Sequence, residues 1–129
     1  VQTDQSFRRA ISWYKKAVKA VSNNIDEASD EIINEVAWIL ATTSERSLKR
    51  ARYALRIIDK RMQDSTLARE KPEFLDTWAA ALAANGQFEK AIEIQKQAIS
   101  KATEQDRDDV LRILERHLES FKSNQPITE

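Results

Sequence analysis

His117 is the only histidine of the chain, and there is no cysteine. The side chains that most often serve as bases, nucleophiles or soft metal ligands are therefore almost absent. Placed on a helix, His117 has Ile113, Leu114, Ser120 and Phe121 three and four residues away. None is an acid, so no neighbour on its own helix orients the ring. A surface or half-buried histidine is expected, not a general base or a ligand. Carboxylate pairs such as Glu89 and Glu93 are abundant, but they sit on amphipathic helices and not in a cleft. The chain has no glycine-rich phosphate loop, no zinc spacing and no nucleophile motif. No catalytic residue, metal or cofactor is assigned, and enzyme activity is not expected.

Cationic chemistry is the other candidate. Lys49, Arg52, Arg56 and Lys60 fall within one stripe by helical angle, as a phosphate-facing ridge would need. Asp59 lies on the same side, three residues from Arg56, and no aromatic residue interleaves the stripe. Lys plus Arg and Asp plus Glu balance at 21 each, so the chain has no net charge to draw it to nucleic acid or anionic lipid. An intramolecular ion pair or a solvated ridge is the expectation, with nucleic-acid binding a minor alternative.

The elements that carry these residues read as helices. The 129 residues make one domain with a continuous core. One glycine and two prolines are too few turn residues for a sheet protein of this length, so an all-α chain is expected. Three stretches share one apolar stripe: Phe7, Ala10, Tyr14, Ala17, Val21; then Leu48, Ala51, Leu55, Ile58, Met62; then Phe88, Ala91, Gln95, Ala98, Ala102. Steps of three and four place each set on one helix face. Phe7 to Leu48 is 41 positions and Leu48 to Phe88 is 40, a period that points to a stacked helical array. A second helix type precedes two of these, with Ile33, Val36, Ala37, Leu40 and Leu75, Trp78, Ala79, Leu82 at matching spacing.

The expected order is a half repeat over 4–22, a repeat over 27–62, a repeat over 72–103 and a capping helix over 107–122. Within the repeats, helices are expected at 27–42, 46–62, 73–85 and 88–103. Pro72 suits a first helical turn, and Asn85-Gly86 suits a left-handed stop. Ser44 and Asp106 are read as N-caps of the helices that follow them. The linker Gln63 to Lys71 is expected to be loose. Glu115 stands where Ala37 and Ala79 stand in the earlier helices, which suits a last helix facing water. The first helix has no partner before it, so Ile11, Trp13 and Val18 are expected to be partly uncovered. The chain opens on Val1, so it is expected to be a processed chain or a piece of a longer protein, the latter preferred. No apolar run approaches a membrane span.

The segment LDTWAAALAANGQFEKAIEIQKQAI resembles a tetratricopeptide repeat. Trp78 and Ala79 take the large-then-small pair of its first helix and Leu82 the next apolar position. Gly86 takes the turn glycine, Phe88 the aromatic opening the second helix, and Ala91 and Ala98 the two small contacts. NEVAWILATTSERSLKRARYAL resembles a divergent bacterial version without the turn glycine, with Leu48 for the aromatic and Ile58 for the second alanine. The first helix resembles a second half-repeat through Phe7, Ala10 and Ala17.

The resemblance implies a right-handed superhelix of antiparallel helix pairs. It also implies a concave groove, lined by the first helix of each pair, that holds an extended peptide or a partner helix. Carried over to this chain, the partner-binding positions are Glu31, Asn34, Trp38, Thr42, Glu73, Asp76 and Ala80, with Ala41, Ala83 and Ala84 beside them. Some family members clamp a C-terminal carboxylate with Lys and Asn; here acids stand at the matching places and Asn34 alone fits, so no such clamp is expected. Trp38 is expected either to offer flat apolar area to a partner or to pack under a loop or on the last helix. The acids favour a basic or mixed-charge segment if they bind at all. The implied role is a protein–protein interaction scaffold or adaptor, with self-association through the uncovered first helix as the alternative. The compartment stays open, with the cytoplasm preferred.

Overall fold

The computed structural model describes the backbone of residues 2–129 and the side chains of residues 8, 9 and 11–129. Among these residues the chain is all-α, with no strand. The helices are α1 (Gln2–Asn23), α2 (Asp30–Thr42), α3 (Ala51–Asp64), α4 (Thr66–Arg69), α5 (Pro72–Ala84), α6 (Phe88–Glu104) and α7 (Asp108–Lys122). Phe7 and Ala10, the first two residues of the first expected stripe, lie outside the described side chains.

Helices consecutive in sequence pack on each other, α2 with α3, α5 with α6, and α6 with α7. Both α2 and α3 then pack on α5. The core follows from small residues at these crossings. Ala37, Ala54, Ala79, Ala81, Ala91 and Ala98 are all fully buried. Alanine there lets two backbones approach, and Ile33, Ile57, Ile58, Met62, Leu75 and Leu114 fill the space between. The α6 stripe is buried as expected at Ala91, Gln95, Ala98 and Ala102.

Three helices end in one way. After α5, Gly86 (φ 78°) turns left-handed, and the Gln87 N–H donates to the Leu82 carbonyl at 2.9 Å. After α6, Asp106 (φ 54°) does the same, with Arg107 N–H to Ala102 O at 2.8 Å. After α7, Asn124 (φ 57°) does it again, with Gln125 N–H to Ser120 O at 2.9 Å. Each closes the free carbonyls of a last turn, and Asp and Asn tolerate the left-handed region with only one glycine available. Asp106 is thus the stop of α6 and not the expected cap of α7. Arg107 holds the cap position without a side-chain bond.

Several expected boundaries move. The first repeat's opening helix begins at Asp30, with the Ser29 hydroxyl accepting from Ile32 N–H. α3 begins at Ala51, so Ser44 caps nothing. Residues 44–50 form a loop, with Arg50 N–H on Leu40 O and Leu48 turned into the core as an anchor. The buried face of α3 is Ala54, Ile57, Ile58 and Met62, and Leu55 is only half-buried. The linker is not loose. It holds α4, capped by the Ser65 hydroxyl on Ala68 N–H, with Ala68 fully buried and Arg69 donating to the Met62 and Gln63 carbonyls.

Beyond α7 the chain turns back. Pro126 ends any helix, and Gln125 to Glu129 runs to the loop after α2. There the Glu129 N–H donates to Thr42 O at 2.7 Å, and the Ser44 N–H donates to Glu129 O at 2.8 Å. The two bonds flank Thr43, which is extended (φ −60°, ψ 138°), in the pattern of a parallel pairing.

Candidate functional site

Side chains one helical turn apart line up along a helix, and two packed helices merge their lines into one surface. Glu31, Asn34, Glu35 and Trp38 on α2 meet Glu73, Phe74, Asp76 and Thr77 on α5 around one shallow depression. Of the seven sequence-derived positions, Glu31, Asn34, Trp38, Glu73 and Asp76 are on it. Thr42 and Ala80 are not: both are buried further along the same two helices, beside the returning tail.

Most of these polar groups are engaged within the chain. The exposed Glu31 carboxylate accepts from Lys71 Nζ at 3.2 Å. Its own backbone N–H in the first turn of α2, then Lys71, hold its carboxyl below the ordinary range. Glu73 accepts from the Arg107 guanidinium at 2.9 and 3.5 Å. Asn34 Oδ1 is buried and accepts no hydrogen bond from the described residues. Glu35 is exposed at the rim.

Asp76, expected as a partner-binding groove position, does not offer its carboxylate to a partner. It is buried, and it accepts from Gln95 Nε2 at 2.9 Å and pairs with His117 Nδ1 at 2.9 Å. Gln95 Nε2 also donates to Leu114 O at 2.9 Å. A carboxylate removed from water needs such partners. His117 accordingly does have an acid beside it, supplied by α5 across 41 residues and invisible on its own helix. The ring of Trp38 lies 5.6 Å from that of His117, tilted by 35°, so Trp38 packs on the last helix. Among the described residues no hydroxyl or thiol is hydrogen-bonded to the Asp76–His117 pair, and no three His, Cys, Asp or Glu form a metal-binding group.

At the far end of the surface sits the tail. Ile127 is 8% exposed and belongs to the apolar cluster of Ala79, Ala80, Leu82, Ala83, Ala91 and Phe121, with Trp38 at its edge. The Trp38 indole N–H donates to Glu129 Oε2 at 3.2 Å. Sequence reasoning missed Ile127 and Glu129, and it placed Gln95 on the buried stripe of α6 without its bond to Asp76. Gln95 left a signal, since a glutamine inside an apolar stripe implies a buried polar partner.

The α3 ridge is broken up. Lys60 is paired with Asp26 and Asp64, and Asp59 accepts from Trp78 Nε1 and from Gln63. An aromatic does interleave the cations: the Tyr53 ring stacks between Arg50 at 4.7 Å and Arg56 at 5.0 Å, and its hydroxyl bonds Ser22. Residue Arg50, outside the four cations considered, completes that stack. On α1, Trp13 is 44% exposed, while Ile11 and Val18 are half-buried. None of the described helices is long and apolar enough to cross a membrane. Searches with family models, curated proteins and solved structures return no match for this chain.

Proposed function

We propose that this chain is a protein-interaction module, a tetratricopeptide-like array whose α2–α5 face receives a segment of a partner protein. It binds and does not catalyse. The observation that supports this reading is the shared depression, to which two packed helices each contribute four side chains. Around it stand acids at the rim, an aromatic edge at Trp38 and the unpartnered Asn34 oxygen. Such a mixture suits a polar or basic segment with one apolar anchor. The residues proposed to carry contact are Glu31, Asn34, Glu35, Trp38 and Glu73. Asp76 supports the face from beneath.

The test is capture from lysate by the wild-type chain beside a Glu31→Lys/Glu35→Lys variant. Both positions are exposed, so the variant should stay folded, losing only the surface Glu31–Lys71 pair and its place in the first turn of α2. A protein held by wild type and lost by the variant supports the reading. A protein held equally by both removes the face from consideration. Self-association is the second reading, favoured by exposed Trp13 and its edge contact with Tyr14 at 5.2 Å. Light scattering across concentration separates the two.

A further inference from the structure

The tail does at one end of the α2–α5 surface what a docked peptide would do. It is extended, it pairs its backbone with the Thr42–Ser44 loop, it buries one aliphatic side chain and it offers one carboxylate to an indole N–H. The backbone bonds are indifferent to sequence, so selectivity must come from the two side-chain contacts. The apolar cluster around Ile127 is floored by Ala79, Ala80, Ala83 and Ala91, whose short side chains leave room for a branched aliphatic residue. The indole N–H of Trp38 is a donor only, so it selects an acceptor two residues after the aliphatic one.

Resting on the reading of this face as a ligand surface, we propose that its distal end is a receptor for an extended partner segment of the form aliphatic–any–acceptor, the acceptor in the chain's own tail being the Glu129 carboxylate. Residues Gln125 to Glu129 are its built-in occupant. A partner of that chemistry enters by displacing them, so the tail sets a threshold on binding. The tether makes this threshold strong even where the contacts are few. A short connection through the Asn124 turn holds the tail at an effective concentration on the order of millimolar or above, so a free segment must exceed that concentration or bind more tightly to compete.

The experiment is an NMR titration of the full chain. Two resonances report the site, the Trp38 indole N–H and the Ser44 amide. Ile127→Asp should release the tail and move both. Adding the free peptide SNQPITE to this variant, up to about 5 mM, should return both toward their wild-type positions, as the effective-concentration argument requires. The same peptide with aspartate in place of its isoleucine should bind at least about tenfold more weakly, since a buried charge is rejected. Wild type, with its site filled, should respond about tenfold less than the variant at equal peptide. Ile127→Ala serves in the same way if Ile127→Asp does not fold. Two results overturn the proposal: resonances that stay put when the tail is mutated, or a released site that peptide excess does not refill. Partner capture that is lost in Glu31→Lys/Glu35→Lys, together with a failed titration, leaves the interaction role standing and removes the tail receptor alone.

Discussion

The side chain with the most consequences is Asp76. It lies in the depression by position, yet its carboxylate is spent on His117 and Gln95, which join α5 to α7 and α6. A buried acid with two partners is a fixed point, because removing either leaves a buried carboxylate oxygen short of a hydrogen bond. His117→Leu should therefore lower unfolding stability by about 2 kcal/mol, read from urea denaturation. It should also loosen Trp38, which stacks on the same ring. A loss below about 0.5 kcal/mol, the ordinary range for a surface substitution, would show that the pair carries no weight. Little of this was legible in advance. His117 has no acid on its own helix, and its partner arrives from 41 residues away through packing. Only Gln95, a polar side chain inside an apolar stripe, hinted at a buried network.

At the scale of elements, the legible parts were those where local pattern and tertiary burial agree. The α5–α6 pair follows the sequence closely because its stripe, its proline start and its glycine stop point the same way. α3 does not, since Leu48 fits a helical stripe equally well as a loop residue anchored in the core. Its loop conformation is set by bonds to Leu40 and Glu129, which no window of sequence contains. The turn before α7 was misread because aspartate serves both as an N-cap and as a left-handed stop. That turn has a testable role. Arg107 bridges Glu73 of α5 and Asp109 of α7, and its guanidinium holds the Asp109 carboxyl below its ordinary 3.8. A carboxylate depressed in the folded state stabilises fully above its ordinary value and loses that contribution as pH falls through the folded one. Wild type should thus melt above Arg107→Gln at neutral pH, and the gap should close as pH falls below the ordinary carboxylate range through the depressed value of Asp109. Asp109 is exposed and Arg107 half-exposed, so the gap is modest and shrinks in high salt. A gap independent of pH would assign the effect to packing instead.

Taken whole, the molecule presents one worked face and one bare helix. α2, α5, α7 and the tail converge on Trp38, while α1 packs on α2, bonds α3 through Ser22 and Tyr53, and shows Trp13 to solvent. The all-α class was legible from the turn-residue count and the stripes. The closure of one end of the surface was not, because Gln125 to Glu129 has no periodicity and reads only as a helix stop. Its position depends on Pro126 and Asn124 redirecting the chain after α7, and on a surface built by residues far away. The account stands on where a partner lands. The most direct measurement is hydrogen exchange on the chain alone and with its captured partner. Slowed exchange confined to α2, α5 and the Thr42–Ser44 loop is the predicted result. Protection on α1, with α2 and α5 unchanged, would contradict it.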